Sequence, residues 1–132
     1  MANLERECAR ISRMLEQCEG SFLAKVSYFA GDEGDTMEVQ LVQVPRLESM
    51  EIKIESIRFL KLDKPPSLDG LFVDKVELLY LPRLPLSWPG EAEGFVRRFE
   101  KLPELAWFRL VGPAEIQVIG ERLTSFSVGT AE

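Results

Sequence analysis

Histidine is absent from all 132 residues. Without imidazole, Ser-His-Asp and Cys-His catalysis are excluded, as are the common zinc sites built on histidine ligands. Cysteine is scarce: Cys8 and Cys18 are the only two, too few for a four-thiolate site. Both fall on one helical segment, where ten residues put them roughly 15 Å apart along the axis, about twice the reach of a disulfide. They are expected to be free, semi-buried thiols in a reducing compartment. Long hydrophobic runs are missing too. The run over residues 57–60 is already broken by Arg58, and nothing approaches the length of a membrane helix. The opening "MANLERECAR" mixes acids with bases and holds no apolar core, so it does not read as a signal peptide. A cytoplasmic location is the default expectation.

An excess of positive charge is lacking as well. The net charge is −6, and residues 1–66 hold 9 basic and 12 acidic side chains against 7 and 10 in residues 67–132. With no basic lobe, nucleic acid and anionic membrane are disfavoured as partners. The glycines form no G-x-G-x-x-G or P-loop, and the serines no G-x-S-x-G. Catalysis would rest on carboxylates, lysine, tyrosine or an unassisted thiol. Spacing singles out no acid–base pair among 22 carboxylates, so no catalytic residue and no cofactor is expected.

What is present describes an ordinary globular chain. An apolar fraction of 45% and a charged fraction of 29% suit one domain over residues 1–132 that buries a core without metal or disulfide. Leu4, Cys8, Ile11, Leu15 and Cys18 recur at steps of four and three, which predicts an amphipathic helix over residues 3–19. Asn3 suits its N-cap and Gly20 its stop. The stripe can dock on a sheet or pair with its own copy; two heptads are too few for an independent coiled coil, so docking is favoured.

After Gly20 the period falls to two. Residues 22–30 and 36–44 flank "GDEGD" and read as a β-hairpin. Met37, Val39 and Leu41 share one face, whereas Val42 and Val44 change parity, which predicts a bulge or a strand covered on both sides. Residues 49–62 alternate through Met50, Ile52 and Ile54, then shift register at Ile57 and Phe59. "DKPPSLDG" is a loop, and residues 71–81 form a strand with Val76, Leu78 and Tyr80 on one side. A helix over residues 91–102 places Phe95, Val96, Phe99 and Leu102 on one face and Arg97, Arg98 and Lys101 outward, ending at Pro103. Three short strands follow, divided by "GP" and "GE". The fold class is therefore α+β: mostly antiparallel sheet of about seven strands, sandwich- or barrel-like, with an N-terminal helix and one short helix before the last three strands.

Four stretches invite a functional reading. "LPRLPLSWPG" satisfies P-x-x-P, but it follows a strand and leads into a helix that Ser87 can cap. Trp88 can pack on Phe95 or Val96, so a corner is favoured over a displayed peptide. "GDEGD" gathers Asp32, Glu33 and Asp35; calcium would need more oxygens, such as Asp63 and Asp69, so a solvated turn is favoured over a metal site. Arg97, Arg98 and Lys101 suit a phosphate or acidic surface, yet Glu93, Glu100 and Glu104 interleave to pair with them. Trp107 and Phe108 take opposite faces of one strand beside Arg109: one fills the core, and the other either lies under the helix over residues 91–102 or is exposed as an interface centre. With Trp88, these three are the candidate interface residues.

The leading expectation is a non-enzymatic module that binds a protein partner or itself as a homo-oligomer. The alternative is a small-molecule-binding or enzymatic domain with a pocket lined by carboxylates and aromatics. A calcium-dependent, C2-like module is third.

Overall fold

The structure, a computed structural model, describes residues 3–32, 34–43, 48–64 and 71–128. The chain runs α1 (Asn3–Leu15), a 3-10 turn (Glu16–Cys18), β1 (Phe22–Phe29), β2 (Thr36–Gln43), β3 (Glu48–Asp63), β4 (Leu71–Phe72) and β5 (Lys75–Leu81). It continues through α2 (Gly90–Phe95), β6 (Leu105–Val111) and β7 (Glu115–Val128). The described strands form one antiparallel sheet ordered β4-β1-β2-β3-β7-β6-β5. Six are long and β4 is a two-residue bridge, so the architecture is α+β.

Both edges of the sheet belong to one stretch of chain. β4 pairs with Phe22 and Leu23, and the Val73 amide donates to the Ser21 carbonyl at 2.9 Å. The next amide, of Asp74, donates instead to Val111 at 2.9 Å, and β5 then runs along β6. Residues 71–81, which alternation reads as one strand, thus change partner after Val73. The switch draws one end of the sheet into a barrel-like closure. Gly112 makes room for it, because a Cβ there would overlap the Phe72 carbonyl oxygen.

α1 lies on the inner face of this curved sheet. Cys8, Ile11 and Leu15 are buried with Met37, Val39 and Leu41 of β2, Ile52 and Ile54 of β3, and Val76 and Leu78 of β5. The stripe therefore docks within the fold. The α-helix stops at Leu15, short of residue 19, and Cys18 reaches the core from the following turn. In the first hairpin the irregularity falls on β1, between Leu23 and Lys25, and β2 keeps its alternation through Leu41. Val44 lies outside the described residues.

A second apolar layer covers the outer face of β5 and β6. Trp88, Ala92, Val96 and Leu102 bury themselves with Leu81, Leu105, Trp107 and Ile119. Phe95 stacks on Phe59 at 4.4 Å and meets Trp107 edge-on at 5.9 Å. The helix expected over residues 91–102 is corrected to the six residues of α2. Gly94 weakens it, and Val96 turns extended to drop its side chain into this layer. Ser87 does not cap it, since Pro89 holds the N-cap position without a side-chain bond.

The proline-rich stretch is a corner. Leu86 donates its amide to Arg83 at 3.1 Å, a turn that leaves no extended P-x-x-P ligand. The Trp88 indole N–H bonds the Pro82 carbonyl. Arg98, expected to point outward, lies over the Trp88 ring at 4.4 Å and donates to the Leu86 and Pro82 carbonyls at 2.6 and 3.1 Å.

The register shift of β3 falls between Ile57 and Phe59, where its parity changes in the sequence. The strands read on either side of "GE" are corrected to one, β7. Gly120 lies inside it, facing the bulge.

Candidate interaction surface

The two end strands of the described sheet, β4 and β5, sit in different surroundings. α1 packs against β5, the strand at one edge. On the other side β1 pairs with β4 only through Phe22 and Leu23. Beyond them, among the described residues, no strand pairs with β1 on the side away from β2. Residues 25–29 keep an unbroken register with residues 36–40, so this part of β1 is straight strand.

Its side chains alternate as the pleat requires. Val26 packs against the inner core, which puts Tyr28 on the same face and Lys25, Ser27 and Phe29 on the other. Tyr28 is 47% exposed and Phe29 54%. The Tyr28 hydroxyl donates to Asp35 across the hairpin turn, and that bond raises the phenol's pKa. The surface joins two exposed aromatics and one exposed cation, Lys25, on a strand that leads into an acidic turn. The sequence carries one signal for it: in "VSYFAG" two adjacent residues are aromatic, so each face of the strand must display one.

The residues singled out from the sequence lie elsewhere. Trp88 is buried at the corner, and Trp107 and Phe108 are 1% and 0% exposed. Phe108 fills the inner core and Trp107 the outer layer, so no aromatic of this trio reaches the surface. Arg109 is partly exposed. Its guanidinium pairs with Glu77 at 3.6 Å and Glu91 at 3.7 Å, and its Nε is shielded without a hydrogen-bond partner. Beneath it the Trp107 indole donates to Gln117 at 3.1 Å, which donates to Glu115 at 2.7 Å. That bond, with Lys61 and Arg109 nearby, holds the Glu115 carboxyl below its ordinary pKa of 4.5.

The charged groups do not assemble into a site. Arg97 and Lys101 are exposed, whereas Arg98 is turned inward and pairs with Glu93 at 3.6 Å. Asp32 is exposed and Asp35 is engaged by Tyr28; Glu33 and Asp69 lie outside the described residues. Among the described residues no group of three acidic or thiol side chains is placed to hold a metal ion. Nor, among them, is any helix long and apolar enough to cross a membrane.

Both thiols are free and buried. Burial pushes the Cys8 pKa up to about 12, with Glu104, Glu7 and Glu5 adding to the shift. Burial likewise raises Cys18, whose sulfur lies 3.7 Å from that of Met50. Tyr80 is raised by burial and by its hydrogen bond to Glu104. These groups are held protonated, so none is an activated nucleophile. No protein-family model matches this chain, and comparison with curated proteins and with solved structures finds no match to either.

Proposed function

We propose that this chain is a protein-binding module that works by accepting an extended strand along the side of β1 away from β2. The observation that carries the reading is that, among the described residues, no strand pairs with residues 24–29 on the side away from β2, and the strand ends in two exposed aromatics. Main-chain hydrogen bonds would supply affinity, and the alternating faces would read the partner's side chains. Val26 and Tyr28 would read one face and Ser27 and Phe29 the other. Pocket chemistry has less support, because the most strongly shifted groups, Cys8 and Tyr80, are locked in their protonated forms. Two buried free thiols suit a reducing compartment such as the cytoplasm.

The test is peptide selection followed by mapping. Random extended peptides are selected on the immobilised protein, and the best binder is titrated into isotope-labelled protein. The amide resonances of residues 24–29 are expected to move first. Binders that perturb only amides elsewhere, or a selection that yields no binder, would overturn the reading.

A further inference from the structure

We infer that the corner between β5 and β6 docks a short segment of a partner protein that combines acidic with large apolar side chains. The inference makes no use of β1. Among the described residues seven large hydrophobic side chains are exposed, and Leu84, Leu86 and Phe99 of this corner are three of them. Leu86, at 63%, is the most exposed of the seven. Single exposed hydrophobics are ordinary, but a group on one surface marks an interaction site. Arg98 holds this group together. It donates to the Leu86 and Pro82 carbonyls at 2.6 and 3.1 Å while lying over the Trp88 ring, which fixes residues 82–86 against the chain that carries Phe99. The turns from Arg83 to Leu86 and from Phe99 to Leu102 each close on a backbone bond of 3.1 Å. A frame of this kind displays the apolar side chains in place, which lowers the ordering cost of binding. The corner leaves β5 at Leu81, paired with Leu105, whereas residues 65–70 set out from β3, whose last residue, Asp63, pairs with Glu115 past the opposite end of β6.

Charge complementarity selects the partner. In a chain of net charge −6, Arg83, Arg97 and Lys101 are exposed and take part in none of the ion pairs among the described residues. Each lies within two positions of one of the exposed apolar side chains. The neighbouring acids are mostly engaged: Glu91 pairs with Arg109 at 3.7 Å and Glu93 with Arg98 at 3.6 Å, which leaves Glu100. Three unclaimed cations bordering an apolar group are complementary to a segment that alternates acids with leucine- or phenylalanine-like side chains. A second copy fits poorly, because a two-fold pairing of this patch sets the same cations against one another. An anionic bilayer also fits poorly. It presents charge to the glutamates as well as to the cations, and the field of the whole chain opposes it. A peptide places its acids opposite the cations alone.

The probe is a fluorescein-labelled synthetic peptide in which aspartate and glutamate alternate with phenylalanine and leucine, followed by fluorescence anisotropy. Two controls share its length: one carries lysine for every acid, the other serine for every apolar residue. Only the acidic, apolar peptide is expected to bind, with an affinity that falls as salt is raised. Leu86→Ser and Arg97→Glu should each weaken it by roughly tenfold or more. Both positions are exposed, and thermal melts establish that each variant folds. In isotope-labelled protein the amides of residues 83–101 should move on titration. No binding by the acidic, apolar peptide, equal binding by either control, or indifference to either substitution overturns the inference. Movement of the residue 24–29 amides alone also overturns it, and assigns the probe to β1. Flotation with phosphatidylserine vesicles that Leu86→Ser abolishes, without peptide binding, would give the corner to a membrane surface instead. A concentration-dependent dimer lost in Leu86→Ser, without peptide binding, would give it to a second copy.

Discussion

Gly120 shows how one residue can punctuate a sequence in two ways. Followed by Glu121, it reads as a turn between two strands, because glycine commonly marks chain reversals. In the structure β7 continues straight through it. A Cβ at this position would lie 2.5 Å from the Ile54 Cγ2 and 2.9 Å from the Glu55 carbonyl oxygen, both on the neighbouring strand just before its bulge. The glycine is there for close approach. Gly120→Ala should therefore destabilise the fold by about 1–3 kcal/mol, since the backbone of β3 must move to accommodate a methyl group. Urea denaturation checks this; a midpoint equal to the parent's would mean that the bulge relaxes freely. Nothing local distinguishes the two roles of glycine, because the atoms that crowd Gly120 come from residues more than sixty positions away.

α1 and α2 differ in how far their sequences determine them. The stripe of Cys8, Ile11, Leu15 and Cys18 is a local pattern with one solution, and all four side chains are buried. The covering comes from the protomer's own strands. Ile11→Ala should cost roughly 2–5 kcal/mol in chemical denaturation, and Ile11→Asp should abolish cooperative unfolding. A folded Ile11→Asp variant of parental stability would show that the helix is not docked. α2 follows a weaker pattern. Phe95, Val96, Phe99 and Leu102 fit a helical face, yet Phe99 is 49% exposed and the helix ends at Phe95. Tertiary demands outweigh propensity here. Arg98 satisfies the carbonyls of the proline corner, and Leu102 must reach the outer layer before β6 begins.

For the whole molecule, linkage between folding and protonation sets two limits of pH. Cys8 has a pKa raised from 9.0 to about 12 in the folded state. Between those values the unfolded thiol has ionised and the folded one has not, so stability falls as pH rises through that window. Tyr80, raised from 10.0, acts in the same direction. Glu115 and Glu7 are lowered from 4.5; their contribution is present above that value and is lost as pH falls through their folded pKa. Urea midpoints should thus be level near neutrality and decline above about pH 9 and below about pH 4.5. Cys8→Ala should flatten the alkaline decline; an unchanged slope would mean that the thiol titrates alike in both states.

Periodicity, which is local, determined most of the elements by itself: the α1 stripe, the hairpin of β1 and β2, the parity change at Ile57 and the α+β class. The lack of histidine and of a basic lobe narrowed the chemistry, since composition alone decides what side chains are available. Partner choice was decided only by the tertiary structure. No pattern in residues 71–81 reveals that Val73 bonds one edge and Asp74 the other, because both halves alternate alike. Burial on two faces was one of two outcomes the sequence left open. Alternation puts one of Trp107 and Phe108 in the core and leaves the other exposed or under the following helix; residues 82–104 decide it by covering Trp107 on the outer face. The place of β1 in the sheet has the same origin: which strands flank it depends on every other strand's place in the order β4-β1-β2-β3-β7-β6-β5.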